Sequence, residues 1–144
     1  MARPEARLCV TVAEDDDDIR AAVTLLLEDA GYAVEALASG GLLLDRLAPA
    51  ILGDPDVPRP DALVTDVRMP GINGLAMMEG LRANGWRAPI VVMTAFADDD
   101  MRKRVARLGA AALIDKPFDP DTLTQTLSSL LAATGEGAAA PGLA

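Results

Sequence analysis

Short apolar runs and amphipathic stretches alternate along the chain. Leu8-Cys9-Val10-Thr11-Val12-Ala13 is brief, β-branched and apolar, the pattern of a strand buried on both faces. Ile19, Val23, Leu26, Leu27 and Ala30 then recur at three- and four-residue steps, a helical stripe closed by Gly31. Tyr32 to Ala36 predicts a second strand. Ser39 follows as the cap of a helix carrying Leu43, Leu44, Leu47 and Ile51. Ala62-Leu63-Val64-Thr65 reads as a third strand, with Leu75, Met78 and Leu81 marking the next helix. Pro89-Ile90-Val91-Val92-Met93 is the clearest strand signal, followed by a stripe of Met101, Val105 and Leu108 that ends at Gly109. Ala112-Leu113-Ile114 is a weak fifth strand. Asp119-Pro120-Asp121 sets an N-cap with proline at the first helical position, ahead of Leu123, Leu127 and Leu130.

Five strand–helix units in succession predict an α/β protein with a doubly wound five-stranded parallel sheet and five helices. Each right-handed crossover lays its helix on one face of the sheet. The expected strand order is 2-1-3-4-5, with the ligand site outside the carboxyl ends of the strands, near the switch point between strands one and three. Polar and ionisable residues do follow strands one, three, four and five.

Two segments break the alternation. Pro49 to Pro60 is rich in proline and reads as a helix end followed by an extended loop. From Thr134 the chain is mostly Gly, Ala and Pro, which predicts a flexible tail. The expected organisation is therefore an N-terminal extension over 1–7, one domain over 8–133 and a C-terminal tail over 134–144.

Composition narrows the function classes. With 13 basic and 22 acidic residues the net charge is −9, which supplies no field to attract nucleic-acid phosphates or anionic membranes. No apolar run approaches a membrane span, and residues 1–7 lack a secretory hydrophobic region, so a cytoplasmic protein is expected. The single Cys9 cannot form an internal disulfide and is expected in the core. The chain has no histidine, and hence neither a histidine metal site nor a histidine base. Trp86, in a turn after Gly85, fits either an exposed contact or a cover for the core edge.

Glu14-Asp15-Asp16-Asp17-Asp18 follows the first strand. Asp16, Asp17 and Asp18 suit the positive end of a helix dipole, whereas Glu14 and Asp15 sit at a buried strand end and should face the crevice. An EF-hand is excluded, because the sixth position counted from Asp15 is Arg20 where glycine is needed. Asp66 ends the neighbouring strand, so three carboxylates should crowd one place. Two such charges about 4 Å apart repel by roughly 4 kcal/mol at an effective dielectric near 20. A cation must occupy the space or the acids must hold protons. Oxygen ligands alone point to a hard ion, Mg²⁺ above all. Thr94 and Lys116, after strands four and five, add a hydroxyl and a fixed cation, a set suited to phosphoryl oxygens. In the helix after Thr94, Asp98-Asp99-Asp100 precede Arg102-Lys103-Arg104 and Arg107, which matches the macrodipole and also offers a partner-facing surface too short to read as DNA-binding.

The runs Val12-Ala13-Glu14-Asp15, Pro60 to Gly71, Val92-Met93-Thr94-Ala95, Leu108-Gly109-Ala110 and Lys116-Pro117-Phe118 together resemble the response-regulator receiver domain of two-component signalling, from about Leu8 to Leu131. The resemblance implies a flavodoxin-like fold and a signalling domain, not an enzyme acting on a separate substrate, that promotes its own phosphorylation and dephosphorylation. Asp66 would be the phosphoacceptor. Asp15, Asp66 and the backbone carbonyl of Arg68 would bind Mg²⁺, with Glu14 close by or acting through water. Lys116 would pair with Asp66 and then with a phosphoryl oxygen, across a cis Lys116–Pro117 peptide. Thr94 would turn to the phosphate and draw the following loop inward. The donor would be a histidine kinase or histidine phosphotransfer protein. Output would pass through protein–protein contacts to an unidentified target, from a stand-alone receiver with no direct DNA or membrane binding; a phosphorylation-dependent homodimer is left open.

Some positions depart from the family pattern. Leu113 stands where many receivers carry the aromatic residue that rotates on phosphorylation. Glu14 replaces the commoner aspartate. Arg68 and Phe96, each two residues beyond a site residue, are bulky at positions that tune phosphoryl hydrolysis, so slow decay is expected. An aspartate-nucleophile phosphatase would want an acid where Arg68 stands and a cap for which no chain is left. A degenerate binding module has no need of mutually repelling acids. A flavin carrier would want a Ser/Thr/Gly-rich phosphate loop after strand one.

Overall fold

The structure is a computed structural model that describes residues 7–134. The expectations for residues 1–6 and 135–144 lie outside the described residues. Five parallel strands, β1 (Cys9–Ala13), β2 (Ala33–Leu37), β3 (Ala62–Asp66), β6 (Ile90–Thr94) and β7 (Ala111–Asp115), form one sheet in the order β2-β1-β3-β6-β7. Between β3 and β6 a small antiparallel hairpin, β4 (Arg68–Met69) and β5 (Ile72–Asn73), stands apart from it. Counting the sheet strands alone, the order is the expected 2-1-3-4-5.

The helices α1 (Asp17–Asp29), α2 (Gly40–Ile51), α3 (Gly74–Ala83), α4 (Asp99–Leu108) and α5 (Pro120–Ala133) cover both faces. One core layer joins Leu43 and Leu47 of α2, Met78 of α3 and Val105 of α4 to Leu63, Ile90 and Val92 of the sheet. The other joins Val23 and Leu27 of α1 and Leu123 and Leu127 of α5 to Val64, Val91 and Met93. Neighbouring residues of one strand thus serve opposite layers, which is why β3 and β6 carry no polar alternation and are buried at every position.

Local signals behave as their chemistry requires. Ser39 accepts the Leu42 N–H, Asp16 accepts from Asp18 and Ile19, and Asp98 accepts from Met101. Gly31, just beyond α1, has φ 101°, a left-handed conformation. Asp119 holds the N-cap position of α5 with Pro120 behind it, but makes no side-chain cap bond; its main-chain carbonyl takes the Thr122 N–H instead.

Helix α2 takes in Pro49 and runs through to Ile51, in keeping with Ile51 on its apolar stripe and a helix end within 49–60; the Leu52 N–H closes on Ala48 at 2.9 Å, so the ladder resumes at once past the missing donor. One expectation needs correction. Cys9 is exposed, because it opens β1 at the rim of the sheet, where its N–H binds Asp61. Trp86 lies inside the core, 3% exposed.

One buried cation escapes any reading of the pattern. Arg82 of α3 is 7% exposed, and every nitrogen of its guanidinium donates to main-chain carbonyls: Nε to Leu108, Nη1 to Trp86 and Ala88, Nη2 to Gly109 and Ala110. It ties the exit of α4 to the entry of β6 at the end of the sheet away from the acidic cluster.

Candidate functional site

The carboxyl ends of β1, β3, β6 and β7 deliver the chemistry. Glu14 follows β1 and is 1% exposed, Asp66 closes β3 at 7%, and Thr94 closes β6 fully buried. Asp15 remains exposed beside them. Carboxylate oxygens of Glu14, Asp15 and Asp66 lie within 4.8 Å of one another. All three donors are hard oxygens, with one group open to solvent and two buried, which fits a small divalent ion that keeps part of its water shell.

Lys116, just beyond β7, points its ammonium into the same crevice. Nζ donates to Asp66 Oδ2 at 2.7 Å and to Glu14 Oε1 at 2.6 Å. The pairing with Asp66 was expected from the sequence; the direct bond to Glu14 was not. Burial works against the ammonium, but the hydrogen bonds and charges of Asp66 and Glu14 outweigh it and leave the Lys116 pKa raised. Glu14 is raised as well, chiefly by burial, with Lys116 and the Asp16 N–H opposing. The main chain of Glu14 is held too: Nη1 of Arg20 donates to its carbonyl at 3.0 Å.

The remaining site residues are set by the loops. Asp66 Oδ1 accepts the Arg68 N–H at 2.8 Å, which fixes the carboxylate plane while Oδ2 faces Lys116. Thr94 does not bond to a carboxylate; its hydroxyl accepts the Phe96 N–H at 3.2 Å, and its carbonyl accepts the Lys116 N–H at 2.8 Å. The Lys116–Pro117 peptide is cis. Arg68 and Phe96 meet across the mouth. Nη2 of Arg68 donates to the Phe96 carbonyl at 3.3 Å, and its guanidinium carbon lies 5.5 Å from the centre of the Phe96 ring. Both were singled out in the sequence as bulky, but nothing there shows that they touch.

Beside Lys116 an apolar groove of about 690 Å³ opens between α1 and the start of α5, lined among others by Ile19, Val23, Leu26, Pro117 and Phe118. Among the described residues no helix is long and apolar enough to cross a membrane.

Comparison with known proteins agrees with this geometry. The family profile described as response regulator receiver domain matches residues 10–128. The transcriptional regulatory protein FixJ of Azorhizobium caulinodans is 36% identical over 133 residues, which are 92% of this chain and 59% of FixJ. The response regulator MprA of Mycobacterium avium is 37% identical over 127 residues, 87% of this chain and 51% of MprA. The chain thus spans little more than half the length of these relatives. Among solved structures, the chemotaxis response regulator CheY4 of Vibrio cholerae superposes with a TM-score of 0.71 at 31% identity, covering 87% of this chain and 99% of CheY4. Full-length FixJ from B. japonicum gives 0.73 at 29%, covering 90% and 60%. With strand order, acidic cluster and profile in agreement, the chain belongs to the response regulator receiver domain family.

Proposed function

We propose that the domain is a phosphoacceptor switch of a two-component relay, phosphorylated on Asp66 in the presence of Mg²⁺. The observation that carries this reading is the Lys116 ammonium held between Asp66 and Glu14, next to three converging carboxylates. A carboxylate attacks a phosphoanion poorly, since both are negative. Lys116 removes part of that repulsion, and the Arg68 N–H keeps Asp66 oriented. An Asp66 oxygen forms the new O–P bond as the P–N bond of a donor phosphohistidine breaks; the imidazole nitrogen leaves with the electron pair and takes up a proton. Glu14, Asp15, Asp66 and the main-chain carbonyl of Arg68 would hold the Mg²⁺, which supplies positive charge opposite the phosphoryl oxygens. Thr94 would turn its hydroxyl to the transferred group.

The donor histidine comes from a histidine kinase or phosphotransfer partner, as this chain has no histidine. The apolar groove beside Lys116 supports such docking, because it offers a dry floor next to the reacting carboxylate. The reading carries a cytoplasmic location with it, and an output through protein contacts. The matched relatives extend well beyond the shared segment, so the proposal covers the receiver alone and leaves the expected stand-alone status and absence of DNA binding outside it. Incubation with acetyl phosphate and Mg²⁺, followed by intact mass, tests the reading. A gain of one phosphoryl group that disappears in Asp66→Asn supports it; an equal gain in Asp66→Asn overturns it.

A further inference from the structure

Leu113 is half-buried three residues before Lys116, so no aromatic ring at that point of β7 can report on the site. A different path leaves the site on the opposite side. Thr94 closes the strand next to that of Asp66, and its hydroxyl holds the Phe96 N–H. The carbonyl and ring of Phe96 both hold the Arg68 guanidinium, although Phe96 is 69% exposed and Arg68 is also at the surface. Arg68 opens β4, opposite Asn73 in the hairpin, and the next pair is Met69 with Ile72. Met69 is 4% exposed in the core layer. Ile72 lies so close to the start of α2 that a Cβ on Gly40 would come within 2.7 Å of the Ile72 Cβ. The contacts run without a gap from a hydroxyl at the site to the first turn of α2.

We infer that the Arg68–Phe96 bridge is a strap that carries the phosphorylation state of the site to the β4–β5 hairpin, in place of a route through β7. The inference rests on the phosphoacceptor reading. The Thr94 hydroxyl is committed to the Phe96 N–H. Turning it to a phosphoryl oxygen either withdraws that acceptor or draws the Phe96 peptide along with it. In both cases residue 96 shifts. The guanidinium follows because it is gripped twice by one residue, through carbonyl and ring. The hairpin follows because Arg68 is part of its ladder.

The Ile72 methyl signal reads this movement, because Ile72 sits at the far end of the strap against α2. Methyl-labelled full chain is compared before and after acetyl phosphate with Mg²⁺, with Ile72 assigned by Ile72→Val and the extent of phosphorylation taken from intact mass. The expected result is a shift of the Ile72 methyl beyond its line width in the phosphorylated protein. At matched phosphorylation, Arg68→Ala and Phe96→Ala should each abolish that shift; both side chains lie at the surface and can be truncated without opening the core. An Ile72 methyl that stays in place in the phosphorylated wild type, or moves equally in both variants, overturns the strap. Absence of any mass gain overturns instead the reading of Asp66 on which it rests.

Discussion

Removing the Lys116 ammonium should turn the crevice from a neutralised cluster into a destabilising one. The Nζ lies 2.6 Å from Glu14 and 2.7 Å from Asp66, and these two side chains are 1% and 10% exposed. In Lys116→Met the carboxylates remain, with oxygens within 4.8 Å of one another. Like charges at that spacing repel by about 3.5 kcal/mol at an effective dielectric of 20. Taking one partner from a buried pair typically costs about 3–5 kcal/mol. Proton uptake by Glu14 limits the penalty, so the expected loss at pH 7 is about 2–4 kcal/mol of unfolding free energy. The pH dependence fixes the cause. Burial already raises the folded Glu14 pKa above the ordinary 4.5, and the variant must raise it further. A raised carboxylate pKa places the penalty above the folded pKa and removes it below the unfolded one. The gap between variant and wild type should therefore close as pH falls from 7 towards 4.5. The pKa of Lys116 is raised above 10.5, so its own contribution stays intact over that range and is lost only at higher pH. Urea unfolding at the two pH values measures the gap directly. Equal stabilities at pH 7, or a loss that does not shrink on acidification, would refute the account of the site as a repelling cluster held together by one lysine.

Three further outcomes follow from particular contacts. Phe96→Ala opens the mouth that Arg68 and Phe96 cover, so the phosphorylated form should decay about threefold faster or more, roughly 0.7 kcal/mol of barrier, as read by the lifetime of the added mass. An unchanged lifetime contradicts the shielding. Arg82→Lys keeps the charge but cannot reach carbonyls fanned around a planar fork, and should cost about 2–4 kcal/mol in urea unfolding; a loss below about 0.5 kcal/mol would show that water replaces the guanidinium. Gly74→Ala puts a Cβ 2.9 Å from the Val67 Cα, a backbone atom that cannot swing aside, and should cost about 1–3 kcal/mol, whereas Gly80→Ala, which meets nothing within 4 Å, should be neutral or stabilising. Thermal unfolding of the two variants side by side decides it.

The parts of this molecule that sequence makes visible are those in which one periodicity serves one purpose. Val64 and Leu63 serve opposite core layers, so β3 is apolar throughout and cannot be mistaken for a half-exposed strand. Ser39 and Asp98 announce their helices because capping needs only local backbone donors. Pro49 is tolerated inside α2, since the lost donor is a local cost that the packing of Leu47, Ala50 and Ile51 offsets. Cys9 misleads, because its strand is buried but its end of the strand is not. The hairpin at 68–73 is too short for any period to register, and Arg82 satisfies carbonyls both between α3 and β6 and at the exit of α4, which no linear pattern encodes.

The acidic site lies between these extremes. Lys116 is 102 residues from Glu14 and 50 from Asp66, yet their convergence is readable, because a parallel sheet brings every strand end to one edge. What the strand ends cannot specify is which long side chains meet once there. Glu14 reaches the lysine directly, where an aspartate, one methylene shorter, would need a different path. Arg68 and Phe96 come from different loops and are joined only by geometry. In this domain, then, the topology assigns which residues face Asp66, and side-chain length and shape decide which of them touch. Those side-chain choices can differ between receivers that share the same five strands, and the route proposed through Arg68 and Phe96 depends on them.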